Sequence, residues 1–151
     1  MSETLGLPTK LRYPQVLSEL ALVVAKHPTR VYHTPESRVN AGGPACWYAH
    51  PAEGDRPAEP GCLLGWWLHT HHQVSVETLD RLDGVGGITT VLERLEIRTT
   101  AKVDCFLLAA QREQDTHVSW QEAFWHAVRE TEELGYYEDE EGYRGLRVAV
   151  Q

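Results

Sequence analysis

The sequence predicts a mainly α-helical fold: a single-domain bundle of five or six helices around a buried central helix, with a minor antiparallel sheet. Three observations carry this expectation. Apolar residues recur at helical spacing in several separate segments, as at Val16, Leu17, Leu20, Val23 and Val24. Serine or threonine stands where several of these runs begin, the position of a helix cap. Residues 62–72 are apolar nearly all round, as in a helix enclosed by its own domain.

Residues 1–12 are polar and interrupted by proline and glycine, and read as an irregular arm. Pro14 suits a first helical turn, and the spacing continues to His27-Pro28, so a helix is expected over 14–26. Two short β-prone runs follow, 30–33 and 45–48, separated by turn-forming residues. The block 49–61, with three prolines and two glycines, reads as an exposed loop.

The central helix is expected over 62–72, with Pro60 near its start. Leu64, Trp67, Leu68 and His71 share one side, with Leu63 and Trp66 beside them. Gly65 costs about 1 kcal/mol there relative to alanine, which implies that another element packs closely at that point.

Ser75 caps a short helix through Leu79 and Leu82, and the glycines at 84, 86 and 87 break the chain before Ile88, Val91, Leu92 and Leu95 mark another. Thr99 or Thr100 caps a helix to about Glu113, with Val103, Phe106, Leu107 and Ala110 inward and Cys105 in the core. Ser119-Trp-Gln-Glu122 has the form of a capping box and opens a last helix over about 119–134. Residues 130–141 hold seven acids and no base, and 135–144 read as an acidic loop. Leu146, Val148 and Val150 alternate as a strand does, so the small sheet is expected from 30–33, 45–48 and 145–150.

At 151 residues the chain fits one domain, 1–151, with no linker or internal repeat to divide it. A net charge of −8 disfavours nucleic acid and anionic membranes, which are bound through clustered lysine and arginine. The two short helices of 75–95 around a glycine turn suggest a helix-turn-helix, but the second offers only Arg94 and then Arg98 as cations. No segment approaches the ~20 apolar residues that cross a bilayer, so no membrane partner is expected. Three cysteines without a signal peptide point to reduced thiols in a cytoplasm.

The words Cys46-x-Tyr48, Pro60-x-Cys62-Leu-x-Gly65-x-x-Leu68 and Ala110-Gln111-x-x-Gln114-Asp115-x-x-x-x-Trp120-x-x-Ala123 resemble a group of small proteins from actinobacteria and their phages. The likeness covers roughly residues 45–128. The spacer between the cysteines is longer than in that group, and Val118-Ser119 stands where a glycine-containing turn is usual. The group has no assigned activity, so the resemblance implies a source and a helical fold, and no chemistry.

Residues 44–72 hold two of the three cysteines, three of the five tryptophans and four of the eight histidines. Zinc accepts thiolate and imidazole in tetrahedral sets, so Cys46, His50 and Cys62 with His69 (or His71 or His72) form the candidate metal set. The spacing lacks the second close pair of a zinc finger, and free cysteine is commonly buried; no cofactor is the first expectation and zinc the alternative. Cys62 at a helix N-terminus with a histidine base would make a nucleophilic pair, although no glycine-rich turn presents it. The histidines at 69, 71 and 72 suit the unpaired carbonyls of a helix C-terminus. Gln111, Gln114 and Asp115 are expected to fasten the turn after their own helix.

Tyr136, Tyr137, Glu138, Asp139, Glu140, Glu141 and Tyr143 mix negative charge with aromatic area, as partner surfaces do. They are the candidate partner-binding residues. The function expected is a non-enzymatic cytoplasmic binding protein, phage-encoded and acting on a host protein. A small metal-containing or Cys/His-dependent enzyme built on the Cys46, Cys62 and histidine region is the alternative.

Overall fold

The computed structural model describes residues 10–39, 46–135 and 138. Within them the chain forms six α-helices and one two-stranded antiparallel sheet. Helix α1 (Tyr13–Lys26) takes Pro14 in its first turn and buries Tyr13, Val16, Leu20, Val23 and Val24. It ends at His27, before the proline that cannot continue it.

Strands β1 (Ala49–His50) and β2 (Glu59–Pro60) pair antiparallel, Ala49 opposite Pro60. The minor antiparallel sheet is present as expected, but other segments form it. The block 49–61 is a hairpin, closed by mutual backbone bonds between Glu53 and Arg56. Gly54 has φ +57, at the turn position where a two-residue hairpin loop calls for glycine. Of the runs expected as strands, 30–33 contributes one isolated bridge, Val31 to Ser119. Of the run 45–48, the described part, 46–48, leads into β1 from the N-terminal side, and 145–150 lies outside the described residues.

Helix α2 (Leu63–His72) begins after Cys62, so Pro60 belongs to β2 and not to the helix. Leu63, Leu64, Trp67 and Leu68 are fully buried, as expected of the central segment. Gly65 is where the loop crosses: a Cβ there would stand 2.3 Å from the Tyr48 carbonyl oxygen.

Helices α3 (Val76–Leu82) and α4 (Ile88–Arg94) are short, α3 capped by Ser75 through the Thr78 amide. Helix α5 (Ala101–Gln114) is capped by Thr100, and α6 (Trp120–Leu134) by the Ser119–Glu122 capping box. Helix α5 packs against α1, α2, α4 and α6, so it shares the centre of the bundle with α2. Edge-on ring contacts join Tyr13 to Phe106 and Phe106 to Phe124. No helix among the described residues is long and apolar enough to cross a membrane.

Candidate functional site

The loop before β1 lies against the N-terminus of α2, and this apposition brings Cys46 and Cys62 together. Both side chains are buried at this junction, close enough for Cys62 to act on the Cys46 thiol, and the Gln111 side chain of α5 acts on it as well. Cys46 is 4% exposed and Cys62 fully enclosed. Burial, with the Cys62 sulfur adding, pushes the Cys46 thiol well above its ordinary pKa. A nucleophilic cysteine needs the opposite, a thiolate favoured by nearby positive charge and open to its substrate.

Hydrogen bonds surround the pair. The Tyr32 hydroxyl accepts from the Trp47 amide at 2.8 Å. Gln111 donates from Nε2 to the Tyr48 hydroxyl at 2.6 Å and accepts at Oε1 from the Ile88 amide at 3.0 Å. Gln114, fully buried, accepts at Oε1 from the Leu63 amide at 3.1 Å and donates to Asp115 at 2.9 Å. This extends the expected role of the glutamines: both fasten the first turns of distant helices, α2 and α4, and Gln114 also bonds Asp115 after its own helix. The physical need is plain: Cys62 and Gly87, at the N-caps of those helices, offer no side-chain cap, and first-turn amides otherwise lack partners.

The candidate metal set does not converge. His69 sits at the other end of α2 from Cys62, about 10 Å along the axis, and its Nδ1 donates to the Val74 carbonyl at 2.9 Å. His50 packs on the Tyr32 ring and over Gly61, with its Nε2 buried and unpartnered. His72 bonds Glu19 at 2.8 Å, and the same carboxylate oxygen accepts from Trp67 Nε1 at 2.9 Å. Among the described residues no three histidine, cysteine or acidic side chains gather where an ion would sit. Cys105, expected in the core, is half-buried against Thr131.

No protein-family model, curated protein or solved structure matches the chain.

Of the candidate partner residues, Glu138 alone is described. Its Oε1 accepts from the Tyr13 amide at 2.9 Å and its Oε2 from the Thr100 hydroxyl at 2.6 Å. It therefore places negative charge at the starts of α1 and α5, where the helix dipoles favour it. Tyr136, Tyr137, Asp139, Glu140, Glu141 and Tyr143 lie outside the described residues.

Sequence reasoning missed Asp83, which follows α3 and accepts from the Tyr48 amide at 2.6 Å and the Ala49 amide at 3.2 Å. Burial raises its pKa to about 6, against the two amide bonds that lower it. Because the pKa is raised, the folded protein keeps a proton between about pH 4 and 6 that the unfolded chain releases. Asp83 therefore adds stability at low pH that is lost as pH rises through this window. The rise equals at most about 3 kcal/mol, and solvent at the partly exposed carboxyl cuts it to about 1–2 kcal/mol. His27 and His50, whose pKa values burial lowers, act in the opposite sense, losing stability as pH falls below about 6.5. The difference in urea stability between wild type and Asp83→Asn cancels them. It is expected to shift against wild type by that amount from pH 4 to 7, and a flat difference would refute the assignment.

Thiol reactivity is the direct check on the buried pair. In folded protein at pH 7, iodoacetamide is expected to leave Cys46 and Cys62 unmodified while Cys105 reacts slowly, and urea is expected to expose all three. Peptide mass spectrometry reads the result, and native labelling of Cys46 or Cys62 would overturn the burial argument.

Proposed function

We propose that this chain is a non-enzymatic binding protein whose partner is another protein. The observation that carries the reading is Trp125, 54% exposed on α6, the helix that leads into the acidic and tyrosine-rich segment after residue 135. Tryptophan is among the residues enriched at the energetic centres of protein interfaces, and Trp125 leaves much of its ring open to a partner while resting edge-on against Phe124. The reactive-looking segment supports the same reading from the other side, since its two thiols are buried and its His69 and His72 are hydrogen-bonded to Val74 and Glu19. The likeness to proteins of actinobacteria and their phages favours a phage-encoded protein in a host cytoplasm, with a host protein as the partner.

The test is affinity capture from an actinobacterial lysate, using wild type, Trp125→Ala and a variant with Asp139, Glu140 and Glu141 replaced by their amides. Glu138 is left in place because it joins the starts of α1 and α5. One protein enriched by wild type and lost with both variants, at unchanged thermal stability, is the expected outcome. A capture profile that neither variant alters would refute the reading.

The Cys46–Cys62 contact is the one observation that favours a thiol-dependent enzyme. The depth of burial and the raised thiol pKa weigh against it, and the iodoacetamide experiment decides between them.

A further inference from the structure

A second surface, independent of Trp125, lies on the seam between α1 and α2. The two helices run antiparallel, since Glu19 of α1 meets His72 near the end of α2 while His27 after α1 meets Trp66 near its start. Between them is a cavity of about 290 Å³ whose walls include Leu22, Val23 and Trp66, with Lys26, His27 and His71 among its polar lining. That volume lies near the lower end of ligand pockets, which combine apolar walls with a few placed polar groups.

Two features give the cavity a chemical preference. The first is charge. On a chain carrying 22 acids against 14 bases, the lining includes Lys26 and no carboxylate. The nearest acid along α1, Glu19, is held by Trp67 and His72. The second is a fixed aromatic wall. Trp66 is braced by the His27 ring at 5.8 Å and the Arg30 guanidinium at 5.7 Å, and both of these also contact Trp120 of α6. A wall already held in place spares a ligand the cost of ordering it. Leu22, 56% exposed, extends the apolar surface outward.

We infer that the α1–α2 cleft binds a small carboxylate with a compact apolar body, of one or two rings, which lies against Trp66 and Leu22 with its charge at Lys26. The apolar body supplies most of the affinity, and the ammonium group selects the anion over neutral and cationic molecules of the same shape.

Three probes of one shape test this: 2-naphthoate, naphthalene-2-methanol and 2-naphthylmethylammonium, each titrated into full-length ¹⁵N-labelled protein and followed by amide chemical shifts. The expected result is saturable shifts confined to residues 22–27 and 66–71, tightest for 2-naphthoate. Lys26→Glu is expected to weaken 2-naphthoate about fivefold, the size of one partly exposed ion pair, and to leave the alcohol unchanged. Leu22→Glu, at an exposed site, is expected to weaken all but the cation. The spectra themselves report whether each variant is folded. No saturable shifts up to millimolar 2-naphthoate, shifts elsewhere, or equal affinity for the ammonium probe would each overturn the inference. Lysate capture through Trp125 is read separately, so failure of either idea leaves the other standing.

Discussion

Gly65→Ala is expected to destabilise the protein by about 3 kcal/mol or more, the upper end of what overpacking costs. Helix propensity alone argues the reverse, because alanine in a helix interior is worth about 1 kcal/mol over glycine. The sign of the change therefore decides between a local and a tertiary account. The new methyl would stand 2.3 Å from the Tyr48 carbonyl oxygen and 3.2 Å from its Cα. That backbone has little room to retreat, because the Tyr48 amide is held by Asp83 and its carbonyl accepts from the Gly61 amide. Urea unfolding gives the answer, with Gly87→Ala as the control. A methyl at Gly87 meets only the Gln111 oxygen at 3.5 Å, an ordinary contact. An unchanged or raised midpoint for Gly65→Ala would show that the loop yields and that the close crossing has no energetic weight.

Gln114→Ala is expected to cost about 3 kcal/mol, and Gln114→Met about 1–2 kcal/mol. The alanine variant loses buried volume and leaves the Leu63 amide without an acceptor, an orphaned group worth roughly 1–3 kcal/mol. Methionine keeps most of the volume and loses only the hydrogen bonds, so the gap between the two variants separates packing from capping. Because Gln114 is fully enclosed, neither variant gains compensation from solvent. A methionine variant as stable as wild type would mean that the Leu63 amide finds another partner.

The helices were legible in the sequence because the signals that specify them are local. Apolar residues three and four apart mark α1, α5 and α6, and Ser75, Thr100 and Ser119 each cap the helix they precede. Gly65 was legible as a close approach because a helix interior tolerates glycine only at a cost. What stayed hidden acts across distance. Gln114 serves an amide 51 residues away and Gln111 a hydroxyl 63 away, and no spacing rule links such pairs. The hairpin at 49–60 was obscured by its prolines, which sit at an edge where the missing donor is tolerated. Cys62 and His69, near in sequence, stand at opposite ends of α2, and the candidate metal set is not gathered among the described residues.

Cys46, Tyr48, Cys62, Gly65, Gln111 and Gln114 all belong to the junction between the loop before β1, α2 and α5.

Capping from a distance bears on how the described helices come apart. Helices α1, α2 and α4 each begin on an acceptor supplied by a distant residue: Glu138, Gln114 and Gln111 respectively. Each of the three opening turns loses a protein acceptor when the chain that lends it departs, and its amide must then turn to water. Opening of each of these first turns is thereby linked to the departure of a second, distant element, which hydrogen exchange at the Tyr13, Leu63 and Ile88 amides would report.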